Sequence, residues 1–148
     1  LRRAGPPARP VVKTIEMILE NARRTLLRYS PKEAAAAHVM IIDLRSNDER
    51  ARTGIIPGSM HVPRSVLEWR ADPDSGWSNP RIADRQLPLI LVCEHGYSST
   101  LAAESLAKLG FEHVGDLEGG FEAWVEAGLP VAPAPPPEPG LPGMGGHQ

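Results

Sequence analysis

Apolar residues recur along this chain at two periods, and the changes between them outline its elements. From Val11 to Tyr29 the residues Ile15, Ile18, Leu19, Ala22, Leu26 and Tyr29 fall at helical spacing, with Glu16, Glu20, Arg23, Arg24 and Arg28 between them. This predicts one amphipathic helix that packs on the main core; a docking helix for a partner or a second copy is the alternative. Ser30-Pro31-Lys32-Glu33 then starts a short helix through Ala37, with Ser as N-cap, Pro first and Glu third. Val39 to Ile42 is apolar at every position, as in a strand buried on both faces, and stops at Asp43-Leu44-Arg45. Ser46 with Glu49 three residues later starts another helix, ended by Gly54.

Met60-His61-Val62 reads as a short strand and Ser65 to Arg70 as one or two helical turns. Ala71 to Pro80 is a surface loop whose Trp77 is expected to cover a gap in the core or shield the site. Arg81 to Leu87 is weakly helical. A second fully apolar run, Leu89 to Val92, is followed by a glycine-containing loop and a helix from Thr100 to Leu109. Phe111 to Leu117 is a strand of mixed character, Gly119-Gly120 allows a sharp turn, and Phe121 to Ala127 is a helix ended by Gly128. Strands alternating with helices argue for an α/β fold: a mostly parallel sheet with helices on both faces. Their order in space is not legible.

Proline and glycine concentrate at the two ends, which sets the domain organisation. Residues 1–10 are expected to be a disordered segment, 11–30 a helical extension, 31–131 the folded domain and 132–148 a disordered tail. A net charge of −2 gives no reason to expect nucleic acid or an anionic membrane as partner. No apolar run approaches the roughly 20 residues of a membrane-spanning helix, and the first residues contain no apolar core like that of a signal peptide. One cysteine excludes an intramolecular disulfide and cysteine-rich zinc sites. The expected compartment is reducing, hence cytoplasmic, and no metal or cofactor is called for.

That cysteine stands where the chemistry is expected. Cys93 ends the buried strand, the loop Glu94-His95-Gly96-Tyr97-Ser98-Ser99 follows, and a helix begins. This setting places the sulfur before a ring of backbone amides at a helix N-terminus, which favours negative charge. The amides of residues 94–99 would stabilise a thiolate, and Gly96 would let the backbone turn in at close range. Ser98 and Ser99 can donate hydroxyl hydrogen bonds or cap the helix. A second negative charge beside the sulfur would oppose its ionisation, so Glu94 is expected to face solvent or the pocket mouth. His95 either contributes positive charge or supports the loop. Asp43 and Arg45, at the end of another buried strand, are expected mainly to fix the loop that follows them. His61 reads as an ordinary core or edge residue.

Four segments together resemble a rhodanese domain: Ile42-Asp43-Leu44-Arg45, Gly54 to Pro63, Cys93 to Ser99, and Gly119-Gly120-Phe121-Glu122-Ala123-Trp124. They occur in that family's order and spacing over about residues 31 to 131. The resemblance implies a rhodanese-like fold with a five-stranded parallel sheet. It implies sulfur transfer through a persulfide on Cys93, from a donor such as thiosulfate or a persulfide to cyanide or a thiol. A protein sulfur acceptor, and a monomer or weak homodimer, fit the same picture. Many rhodanese loops carry arginine five positions after the cysteine, where this chain has Ser98. Other single-domain thiosulfate sulfurtransferases read C-x-H-G-x-S-S, which this loop matches. Cysteine phosphatases of related type need that arginine and a longer loop, so phosphate chemistry ranks below sulfur transfer. A sulfur-carrier or regulatory module, with little activity alone, is the alternative.

Overall fold

The computed structural model describes residues 5–7 and 13–137. The disorder expected for residues 1–4, 8–10 and 138–148 lies outside these, as do Val11 and Val12. Among the described residues, helix α1 (Ile15–Thr25) leads into strand β1 (Leu27–Tyr29), α2 (Pro31–Ala36), β2 (Met40–Asp43) and α3 (Asn47–Thr53). Strand β3 (Met60–His61), a 3-10 turn (Arg64–Val66) and α4 (Leu67–Ala71) come next. The last elements are β4 (Leu89–Val92), α5 (Ser98–Lys108), β5 (Val114–Leu117) and α6 (Gly120–Glu126). The strands form one parallel sheet in the order β1-β5-β4-β2-β3.

Strand β4 is central, and every residue in it is buried. Its side chains alternate between two cores, as a period of two requires. Leu89 and Leu91 join Ile42, Leu67, Ala102 and Leu106 on one face. Ile90 and Val92 join Leu117, Phe121 and Trp124 on the other. Both short helices before the site start as their sequences predict. Ser30 with Glu33 and Ser46 with Glu49 form reciprocal capping boxes, and Gly54 ends α3 at φ +90. No helix among the described residues is long and apolar enough to cross a membrane.

Several boundaries differ from the sequence reading. The first helix stops at Thr25, and Leu27–Tyr29 is the edge strand β1, paired with β5 from Leu27↔Gly115 to Tyr29↔Leu117. The sheet therefore begins ahead of residue 31. A spacing of three between Leu26 and Tyr29 fits a helix, but a parallel partner on β5 satisfies the same backbone groups and wins. Leu19 and Ala22 are the buried residues of α1, which packs against α5. Residues 81–87 form turns rather than a helix, and β5 starts at Val114 rather than Phe111. Trp77 is 56% exposed and fills no gap in the core. Ala132, placed in the tail by its composition, forms an antiparallel bridge with Ile55.

Candidate active site

Cys93 follows the last residue of β4 and is 6% exposed at the floor of an open pocket of about 380 Å³. The sulfur receives two backbone hydrogen bonds, from Gly96 N–H at 3.1 Å and Ser99 N–H at 3.3 Å. Its third contact is Ser99 Oγ at 3.3 Å. The anion cradle expected of residues 94–99 thus consists of two amides aimed at Sγ. Gly96 takes φ +84 to present its amide, and a Cβ there would stand 2.7 Å from the Gly119 nitrogen.

Helix α6 holds the loop from below. Phe121 N–H donates to the Cys93 carbonyl at 2.8 Å and Glu122 N–H to the Glu94 carbonyl at 3.1 Å. Gly120 permits that approach: a Cβ on it would lie 2.5 Å from the Cys93 carbonyl oxygen. The Gly-Gly turn and the cysteine loop are therefore one packed unit. On the opposite side the Gly96 carbonyl accepts from Arg23 Nη2 at 3.2 Å and Arg28 Nη2 at 3.4 Å, with Thr100 Oγ1 3.3 Å away.

Arg45 lines the pocket, but its guanidinium serves the scaffold. Nε and Nη2 grip both oxygens of Asp43, Nη2 also donates to the Gly54 carbonyl, and Nη1 donates to Thr53 Oγ1 and to Glu94 Oε1. Those bonds use all five N–H groups a guanidinium has. The Phe121 ring covers the guanidinium at 3.9 Å. Burial alone would pull this arginine's pKa down; the hydrogen bonds and charge of Asp43, with Glu94, more than offset it and raise it. Asp43 and Arg45 thus fix the surrounding loops, and Arg45 offers the pocket a positive charge without a free donor. Glu94 lines the mouth with its charge set against Arg45.

His95, Tyr97 and Ser98 are exposed at the pocket rim. His95 Nδ1–H donates to Glu122 Oε2 at 2.6 Å, a contact between half-exposed groups and worth about 0–1 kcal/mol. Arg23 lies over the Tyr97 ring at 6.0 Å. Tyr97 is the N-cap of α5 and makes no side-chain capping bond, so neither Ser98 nor Ser99 is the cap. Arg64 and Glu49 complete the charged wall. Two guanidinium groups and two carboxylates therefore face the pocket, a nearly balanced field. His61 lies beside the site's scaffold, its Nε2–H donating to the Arg45 carbonyl at 2.7 Å.

One cluster under the loop escaped the sequence reading. Asp116 on β5 is fully buried and accepts from Ser99 Oγ and Thr100 Oγ1, each at 2.8 Å to Oδ2. Arg28 closes the other side, with Nε at 2.9 Å from Oδ1 and Nη2 at 3.3 Å from Oδ2. Burial works against the charge on Arg28, yet its bond to Asp116 leaves its pKa raised, with Glu118 and Cys93 adding attraction. The available signal was an aspartate inside a four-residue strand otherwise made of Val114, Gly115 and Leu117. Alternation puts it on the same side as Val114, facing α5.

Comparisons with known proteins show the family. The family "Rhodanese-like domain" matches residues 29–127. The thiosulfate sulfurtransferase GlpE of Stutzerimonas stutzeri is 39% identical over 100 residues, covering 66% of this chain and 83% of the relative. That of Shewanella oneidensis is 53% identical over 92 residues, covering 62% and 81%. Among solved structures, a Rhodopseudomonas palustris protein of unknown function, described as a possible tyrosine phosphatase, superposes with a TM-score of 0.76. It is 32% identical, and the alignment covers 86% of this chain and 99% of that one.

Proposed function

The chain belongs to the family of rhodanese-like domains, and from that premise we propose that it is a sulfurtransferase working through a persulfide on Cys93. The Cys93 thiolate attacks the outer sulfur of a donor such as thiosulfate, a sulfur–sulfur bond forms on Cys93, and sulfite leaves. Cyanide or a thiolate then takes the outer sulfur, and Cys93 departs as thiolate. Sulfur suits both roles of Cys93, because a thiolate is a good nucleophile toward a sulfur–sulfur bond and a good leaving group from one. The observation that carries this reading is the pair of amides, Gly96 N–H and Ser99 N–H, directed at Sγ on the pocket floor. They stabilise negative charge on sulfur without a mobile side chain. The expected compartment is the reducing cytoplasm, which keeps a single cysteine free for this cycle.

Thiocyanate production from thiosulfate and cyanide tests the assignment. The full chain is expected to turn over and Cys93→Ser to be inactive. Equal rates for the two would remove Cys93 from the chemistry.

One observation favours a second reading, in which the domain carries sulfur for a partner protein and turns over poorly with small anions. Every N–H of Arg45 is engaged within the protein, and the pocket walls are nearly balanced in charge. A persulfide that forms from a protein donor but not from thiosulfate is its signature. The same features weigh against the phosphatase chemistry suggested for the Rhodopseudomonas neighbour, since no loop arginine grips a phosphate bidentately here. A generic aryl phosphate hydrolysed no faster than by Cys93→Ser would dispose of it.

A further inference from the structure

Ser99 sits between two groups that want its hydroxyl. Its oxygen is 2.8 Å from Asp116 Oδ2 and 3.3 Å from Cys93 Sγ. A hydroxyl has one proton and two lone pairs. An O–H to a buried carboxylate at that distance is charge-assisted and stronger than a long contact to neutral sulfur. The proton therefore points to Asp116, and the lone pairs of Ser99 face the sulfur. A Cys93 thiol has an acceptor for its S–H there; a Cys93 thiolate meets lone pairs unless the hydroxyl turns away from Asp116.

Asp116 can release that proton only as far as its other partners satisfy it. Thr100 donates to the same Oδ2 atom, and Arg28 holds both oxygens. We propose that Asp116 is a positioning residue: by competing for the one hydroxyl proton of Ser99, it sets the pH at which Cys93 becomes a thiolate. When Cys93 ionises, its proton passes to solvent at the pocket mouth. The Ser99 hydroxyl then rotates to donate to sulfur, while Thr100 and Arg28 keep Asp116 paired. No covalent bond other than S–H is broken. In the proposed cycle the same rotation would accompany each return of Cys93 to the thiolate.

Other charges reach the sulfur from each neighbouring element. Arg23 on α1 and Arg28 on β1 stand behind the loop; Glu49 on α3, Arg45, Arg64 and Glu94 face it across the pocket, with His95 at the rim paired to Glu122 of α6, and Asp43 at the end of β2 is held by Arg45. The variants below leave these side chains in place, and the hydrogen bonds donated to Sγ come from the Gly96 and Ser99 amides.

The inference rests on Cys93 as the reacting nucleophile but not on any sulfur donor, so its test is alkylation. The rate of iodoacetamide addition to the full chain, followed by mass spectrometry across pH, reads ionisation of the one cysteine. Asp116→Asn is expected to free the Ser99 hydroxyl and move the midpoint to lower pH by about one unit, tenfold in the ionisation constant. Thr100→Val removes a competing donor from Asp116, tightens its hold on Ser99 and is expected to move the midpoint the opposite way. This second variant keeps the carboxylate paired with Arg28 and serves if Asp116→Asn does not fold. In the presence of Ser99→Ala the Asp116→Asn shift is expected to shrink to less than half. Midpoints that move the same way in both variants, or an Asp116→Asn shift undiminished by Ser99→Ala, would overturn the proposal. Absence of sulfur transfer with an intact alkylation pattern would instead count against the proposed activity alone.

Discussion

Arg28 Nε and Asp116 Oδ1 lie 2.9 Å apart, although 88 residues separate them in the chain. The contact joins the edge strand β1 to β5 directly beneath the cysteine loop. Asp116 is fully buried, and Arg28 retains 20% of its side-chain exposure. Removing one partner of such a pair leaves an uncompensated buried charge, which costs about 3 kcal/mol. Arg28→Ala is expected to lower stability by that amount in urea unfolding, and Arg28→Lys to regain part of it. A loss below about 1 kcal/mol would show that the pair is screened like a surface contact.

Gly96 is the position where loop geometry leaves no choice of side chain. Its φ of +84 opposes alanine, and so does the Gly119 nitrogen, 2.7 Å from where the added methyl would stand. Gly96→Ala is expected to cost about 1–3 kcal/mol through backbone strain alone. It also displaces the amide that meets Sγ, so thiocyanate production should fall further than stability does. Retention of full activity would mean the Gly96 amide is dispensable.

His61 gives stability a pH dependence of defined sign. Burial holds its imidazole below the ordinary value of 6.5, outweighing the hydrogen bond to the Arg45 carbonyl; Arg50 and Arg45 push the same way and Asp43 opposes them. As pH falls through 6.5 the unfolded chain takes a proton that the folded chain refuses. Stability is therefore complete above 6.5 and declines below it. Glu68, held below its ordinary 4.5 despite burial by bonds from Ser105 and Arg64, adds its own loss only at more acid pH. The Tm should drop on acidification just below 6.5, and His61→Gln should flatten that drop; an unchanged slope would contradict the assignment.

Ser98 is exposed at the pocket rim, five positions after Cys93. A guanidinium there faces the donor without a scaffold partner already holding it. Ser98→Arg is expected to lower the KM for thiosulfate about fivefold, equivalent to ~1 kcal/mol for a charge pair in water, and the gain should fade at high salt. An unchanged KM would mean that backbone amides alone set donor affinity.

The loop and its neighbours are legible in the sequence because their signals are local. Capping boxes at Ser30 and Ser46, the all-apolar Leu89–Val92 and the following glycine loop each depend on residues a few positions apart. Strand β1 reads as helix because three residues cannot show a period, and its partner on β5 is remote in sequence. The expectation that Asp43 and Arg45 fix a loop comes from their place at a strand end, whereas the grip of Arg45 on both oxygens of Asp43 is a feature of the folded chain. Arg45's further bond to Glu94 depends on the β2–β4 pairing, which chain order does not reveal. Asp116 is visible as a charge inside a strand, but its partners Ser99, Thr100 and Arg28 converge only once β1, β4 and β5 lie side by side.

The most direct test of the central claim is the intact mass of the full chain after thiosulfate treatment and desalting. One added sulfur atom, mapped to Cys93 and removed by cyanide with release of thiocyanate, is the expected result. An unchanged mass with thiosulfate and with every persulfide donor tried, protein donors included, would contradict sulfur transfer through Cys93.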